Sequence, residues 1–296
     1  MDQSKEQSWE RVLLYLVLGM GILAVSSAAV LIRLADEAPA SVIAAYRMGI
    51  ASVVLAPLAG LKYHSHPSRP TLKQIGLMAV SGGFLALHLG LWIASLQFTS
   101  VASSVFLVTS SPIFVVVGSW VFLRERALPQ EVLGIAVGVT GGVIITAGDL
   151  SLSGEELKGN LLAVAGAVSV AGYLLIGRSV RGHTTALTYV GVVYPIAAVL
   201  LFATAIGSGA TFTGFAASTY LWLALVALAP QVVGHTSLNW SLGHIRATGV
   251  AIAVMAEPVG ASLLAWFVLQ ETPSVWTIVG GFLILAGVFL ALRRRG

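Results

Sequence analysis

Two short polar stripes interrupt an otherwise apolar chain. His88 and Trp92 stand four residues apart, with Ser81 and Ser95 on the same helical stripe, and Gln231, His235 and Asn239 follow one another at intervals of four. Residues four apart share a helix face, so each set presents a row of donors and acceptors if its segment is helical. Tyr173 and Trp240 add rings with polar tips, which suit a solute with a large apolar body. Arg47, in "AAYRMG", and Glu257, in "VMAEPVGASLLAW", each stand in an apolar run. Arginine's planar fork fits a carboxylate, and an acid can hold an ammonium group or trade a proton. These residue types can bind and release a small amphipathic solute. They do not form a catalytic centre: HExxH, GxSxG and phosphate-loop patterns are missing, and so are cysteines. The one close histidine pair, "HSH" at 64–66, lacks further ligands. No enzyme activity, cofactor or metal is expected.

Each of these residues also has a structural reading. A lone buried histidine packs more often than it binds, and two parallel stripes are what give the binding reading weight. Arg47 stands about 10 Å inside its segment at 1.5 Å per residue. It can snorkel outward, pair with Asp36, Glu37 or Glu257, or hold a substrate carboxylate; membrane charges usually find protein partners, so the pairing is favoured. Glu257 stands about 15 Å deep, where an acid costs roughly 2.5–3.5 kcal/mol. The reading favoured there is an acid bonded to a neighbouring helix, for example to the Val254 carbonyl that Pro258 would leave free. The alternative is a proton or ammonium site. Tyr220 and Trp222 read as interfacial anchors.

The elements that must position these residues are set by composition. Of 296 residues, 57% are hydrophobic and 9% charged, against about a quarter charged in a soluble domain. Lipid must cover much of the surface. The basic balance of +4 does not point to nucleic acid, because the charges lie between apolar runs. Val12 to Ile32 is about 20 residues, enough to span a bilayer core and too long for a signal-peptide core, so it reads as a retained helix. Ten spans are expected near 11–33, 40–61, 73–97, 100–122, 130–148, 158–178, 184–206, 218–242, 247–269 and 274–292. They must be helices, since backbone groups in hydrocarbon have to pair internally.

Lys and Arg set the direction. With the N-terminus cytoplasmic, thirteen of the sixteen fall on the inner side: Lys5, Arg11, Lys62, Arg69, Lys73, Arg124, Arg126, Arg178, Arg181, Arg246, Arg293, Arg294 and Arg295. Arg33 and Lys158 fall outside, and Arg47 lies within a span. Both termini are therefore expected in the cytoplasm.

A shift of 146 residues aligns the halves without a gap from Ser95 to Gly141. It places Pro112 on Pro258, Trp120 on Trp266, Glu125 on Glu271, Gly134 on Gly280 and Gly141 on Gly287. Five spans per half is an odd number, so the second half enters the membrane from the opposite side. "RER" 124–126 accordingly loses both arginines in its counterpart "QET" 270–272. The expected domains are thus 11–148 and a second, inverted copy at 158–292, with the site at their interface. The matched prolines, Pro112 and Pro258, read as paired kinks that shape the cavity and as gating candidates, beside Glu257 as a coupling candidate. "GIAVG" 134–138 reads as close helix packing within one chain, with a monomer as the functional unit.

The paired patterns "SP…W…RE…G……G" and "EP…W…QE…G……G", together with "AAYRMG" at 44–49, resemble the two EamA-type halves of the drug/metabolite transporter superfamily. Within it, the chain is most similar to the YddG-type aromatic amino-acid exporters. The resemblance implies a basket of two inverted five-helix bundles around a central cavity, lined in part by the third, fourth, eighth and ninth helices and braced by the fifth and tenth. It implies a secondary transporter in a bacterial inner membrane, moving amino acids or related amphipathic metabolites by alternating access, and exporting them. His88, Trp92, Asn239, Tyr173, Arg47, Trp240, Gln231 and His235 are the candidate substrate contacts. The rival is a multidrug or cation efflux pump that exchanges protons on Glu257. A phosphorylated-sugar exchanger would need more fixed cations in the spans than Arg47 alone.

Overall fold

The computed structural model describes residues 3–63, 70–146 and 154–293. Among them are ten helices long and apolar enough to cross a membrane: α1 (Trp9–Leu34), α2 (Ala40–Leu61), α3 (Leu72–Ser95), α4 (Val101–Leu123), α5 (Pro129–Thr146), α6 (Gly154–Arg181), α7 (Ala186–Gly207), α8 (Ala217–Ser241), α9 (Ala247–Leu269) and α10 (Val275–Leu292). The protein is an all-helical, ten-span membrane protein. The histidine pair at 64–66, residues 147–148 of the fifth expected span, Arg69, Arg294, Arg295 and the side chains of Lys5 and Lys62 lie outside the described residues.

Helix starts follow the sequence chemistry. Thr71 and Gln74 close a capping box on α3, and Ser100, Thr185 and Ser274 each accept the backbone N–H three residues on, opening α4, α7 and α10. Such caps satisfy donors that a helix leaves unpaired at its first turn.

Several spans are discontinuous. α4 breaks at Ser110–Ser111 and resumes at Pro112; α9 breaks at Met255–Ala256 and resumes at Glu257. The prolines read as paired kinks, Pro112 and Pro258, stand at paired breaks and not inside a helix. Both stand in the first turn of a resumed helix, where the missing N–H costs nothing. Met255 and Ala256 tighten the end of the first half of α9 by donating to the carbonyls of Ile252 and Ala253. α8 widens into a π-helical stretch over Ala227–His235 around Pro230.

Packing follows the 146-residue register. α5 and α10 run antiparallel in close contact, because paired glycines let the backbones meet. A Cβ on Gly134 would stand 2.4 Å from the Gly287 carbonyl oxygen, and one on Gly280 would stand 2.3 Å from that of Gly141. The shift carries the first of these contacts onto the second. It does the same elsewhere: the first half of α4 packs on the second half of α9 and the reverse, α1 packs on α8 as α6 does on α3, and α2 packs on α7. The non-glycine residues with positive φ, Arg124 at 57° and Gln270 at 58°, stand in the same register. Each follows a helix end where the next N–H, of Glu125 or Glu271, reaches back to Ser119 or Ala265.

Candidate functional site

The polar stripes meet in the interior. Arg47, 1% exposed, projects from α2 and donates from Nε to Gln231 Oε1 at 2.8 Å. Its guanidinium carbon stands 5.9 Å from the centre of the Trp92 ring. Trp92 and His88, one turn apart on α3, lie nearly parallel with ring centres 6.1 Å apart. His88 is in turn 6.1 Å from His235, which faces Tyr173 at 6.3 Å. The Tyr173 hydroxyl donates to Asn239 Oδ1 at 2.7 Å, and Asn239 Nδ2 donates to the Tyr194 hydroxyl at 3.4 Å. His88 Nδ1 lies 3.1 Å from the Gly166 carbonyl, which holds the α3 stripe against α6. Ser81 meets the Tyr189 hydroxyl at 2.5 Å, and Ser95 meets Ser104 at 2.6 Å.

The π-helical stretch explains how α8 contributes. Pro230 cannot donate to the ladder, and a local change to wider turns absorbs the defect; such bulges collect at functional sites. Gln231, His235 and Asn239 are all buried and aimed at the cluster.

Two expectations about charged residues change. Arg47 makes no hydrogen bond or close ion pair with Asp36, Glu37 or Glu257: its hydrogen-bond partner among the described residues is the neutral Gln231, and Glu257 acts on its charge only from a distance. Glu37 instead accepts from the Ala216 backbone N–H at 2.8 Å and from Thr219 Oγ1 at 2.9 Å. These two donors hold its carboxyl below the usual range. Glu257 is not bonded to a neighbouring helix. It begins the second half of α9, 7% exposed, and lines a cavity of about 40 Å³ with His88, Tyr173 and His235. Among the described residues no hydrogen bond or close ion pair reaches its carboxylate. Trp240 also departs from expectation. It lies away from the cluster, stacked on His244 at 3.9 Å, at the mouth of a recess of about 600 Å³ beside the α6–α7 connection. That recess is larger than the cavity beside Glu257, yet the polar groups of the cluster lie deeper. Tyr189, Tyr194 and Thr236 belong to the network and were not singled out beforehand. The two tyrosines stand five apart in α7, off any four-residue stripe.

The two faces of the bundle differ. On the face where α4, α6, α8 and α10 end, Arg178 bridges to Glu125 at 3.5 Å. There Arg246, at the start of α9, grips Glu131 of α5 at 2.7 Å. Glu131 also accepts from the Leu128 N–H at 2.7 Å. Arg181 fastens this face further through the carbonyls of Asn239 and Thr184. On the opposite face, Arg33 and Glu271 stand 3.7 Å apart. The 146-residue shift carries Glu125 onto Glu271, so one ion pair answers the other. The second clasp has no such answer. The shift carries Arg246 back onto Ser100 and Glu131 onto Thr277, which cannot form an ion pair. At that seam a recess of about 430 Å³ opens, lined by Ala102, Thr277 and Glu271 and reaching inward to Pro258.

Fold and site together describe a multi-pass membrane protein with a buried polar centre between its helices. The EamA-like transporter family matches the chain twice, at residues 11–147 and 157–293; the chain belongs to that family. An uncharacterized transporter of Archaeoglobus fulgidus is 25% identical over 238 residues, covering 77% of this chain and 79% of that one. A riboflavin transporter of Rhizobium johnstonii is 27% identical, covering 76% of each chain. A probable terminal-alkyne amino-acid exporter of Streptantibioticus cattleyicolor is 25% identical, covering 84% of this chain and 82% of that one. A solved crystal structure superposes with a TM-score of 0.75 over 94% of this chain and 96% of that one, at 22% identity. These names are those of transporters, not of enzymes.

Proposed function

We propose that the protein is a secondary transporter that moves amino acids, or related amphipathic metabolites with an aromatic or apolar body, out of the cell across a bacterial inner membrane. The two halves are read as inverted repeats, with the face that carries Arg178, Arg181 and Arg246 in the cytoplasm. The single observation that carries this reading is the buried ring-and-amide cluster of Arg47, Trp92, His88, His235, Tyr173 and Asn239. Antiparallel packing of α5 on α10, with contacts that map onto each other under the shift, supports an in-plane two-fold relation. The cavity beside Glu257, about 40 Å³, holds a few waters but not an amino acid, which supports a conformation closed around the site. The clasp between Arg246 and Glu131 supports closure on the cytoplasmic side. Export rests on family resemblance and on the exporter among the relatives.

The test is counterflow of labelled phenylalanine, tryptophan and riboflavin in proteoliposomes. Trp92→Ala and Asn239→Ala are expected to lower flux severalfold while the protein stays folded and inserted. Normal transport by both variants would make the stripes packing features. Flux that follows organic cations alone would favour the efflux-pump reading, in which Glu257 trades a proton for the cation.

A further inference from the structure

Four nitrogens of the central cluster face no partner. Arg47 Nη1, Trp92 Nε1, Gln231 Nε2 and His235 Nδ1 are buried and unbonded among the described residues, and each of the four side chains is more than nine-tenths buried. Guanidinium, indole and amide N–H groups can only donate, and an imidazole nitrogen can donate. They come from α2, α3 and α8 and form one connected set. Arg47 Nε is tied to Gln231, the guanidinium lies beside the Trp92 ring, and His88 links that ring to His235. Buried donors are rarely left unmet, and Arg47 brings a full charge with no acid at ion-pair distance among the described residues. The Gln231 side-chain oxygen is already used by Arg47 Nε.

Resting on the transporter reading, we infer that this cluster is a cradle for a single carboxylate. An ionised carboxylate offers about four acceptor positions on two oxygens, a number that matches the four unmet donors. Arg47 Nη1 would supply the charged bond, with the Trp92, Gln231 and His235 N–H groups meeting the remaining lone pairs. The body of the solute would lie along the His88 and Tyr173 rings, and a cationic group on it would face Glu257 across the small cavity. A phosphate dianion is disfavoured because Arg47 is the one permanently charged cation in the cluster among the described residues. An organic cation is disfavoured because the donors repel it.

The test uses the purified full chain in detergent and two matched pairs of probes: 3-phenylpropionate with 3-phenylpropionamide, and L-phenylalanine with L-phenylalaninamide. Thermal-shift titrations are expected to show each acid binding about tenfold or more tighter than its amide, since the amide leaves a charged donor unmet. Gln231→Glu places a carboxylate beside Arg47 from within the protein. It is expected to raise the ligand-free melting temperature and to remove the preference for acids, an outcome that a failure to fold cannot imitate. Amides binding as well as acids, acids not binding, or Gln231→Glu behaving as wild type would each overturn the cradle. Counterflow of the same probes separates the two readings: acid-selective binding without flux sinks transport and leaves the cradle, whereas flux without acid preference sinks the cradle alone.

Discussion

Replacing Glu131 by Gln should shift the protein toward a state open at the α5–α9 seam. The clasp is close, at 2.7 Å, with Glu131 only 6% and Arg246 32% exposed. Charged hydrogen bonds contribute about 1.5–3 kcal/mol, and the part-exposed arginine places this one near the lower end, about 1.5 kcal/mol. Gln retains an acceptor for the Leu128 N–H, so the start of α5 should stay capped. If the clasp exists only while the seam is shut, its loss changes the ratio of closed to open states about tenfold. The chain has no cysteine, so single introduced thiols report without background. Ala102 lines the recess on the opposite face, and Thr248, its counterpart under the 146-residue shift, is 2% exposed. In the Glu131→Gln background, maleimide labelling of Thr248→Cys should speed up by about tenfold, and labelling of Ala102→Cys should slow. Unchanged rates at both positions would show that the ion pair is ornament to the fold and that the seam is held by packing.

Other outcomes follow from the same geometry. Gly141→Val should destabilise the protein by about 1–3 kcal/mol or more, because its Cβ would meet the Gly280 carbonyl at 2.5 Å and the Ile284 nitrogen at 2.9 Å. Gly19→Ala, with nothing within 4 Å, is the control in the same denaturation series. Glu257→Gln should stay folded, since no protein partner is lost, and should flatten the pH profile of flux in proteoliposomes. A variant that unfolds, or one with the wild-type profile, returns Glu257 to a structural role. Glu37 has a lowered pKa through its bonds to Ala216 and Thr219, so its contribution is complete above the ordinary carboxylate range and is lost as pH falls through the lower folded value. Relative to its intrinsic exchange rate, the Ala216 amide should therefore stay protected at neutral pH and lose that protection only in acid, while in Glu37→Ala it should lack protection throughout; protection that ignores both changes would refute the bond's importance.

The ten spans were legible because a bilayer imposes length and apolarity on each helix separately, and both are local properties of sequence. The stripes on α3 and α8 were legible for the same reason, since four-residue spacing marks a face. What spacing could not give was partner choice. Arg47 bonds to Gln231 and not to Glu37 or Glu257, because Glu37 is held at the start of α8 and Glu257 lines the cavity. Trp240 follows Asn239 directly, so it had to point elsewhere: adjacent residues on a helix stand about 100° apart. The π-helical turn at Pro230 was invisible, since a proline signals a defect in the ladder but not how the chain absorbs it. Arg246 counted only toward the inner-side charge and Glu131 was not singled out, because 115 positions separate them in the chain and only folding makes them a clasp.

The glycine contact between α5 and α10 has the form of an isologous interface. Gly134 meets Gly287 and Gly280 meets Gly141, so each half offers the same patch and receives the same patch. Two separate five-helix chains of identical sequence could make that contact, provided that one entered the bilayer upside down. In such a pair any clasp would be duplicated on both faces, and neither side of the membrane would be preferred. Fusion of the halves into one chain frees each copy to diverge. Here one copy of the seam carries Arg246 and Glu131, and the other carries Ser100 and Thr277. A symmetric pair would rest with both seams alike; a single chain with unlike seams can favour one of them.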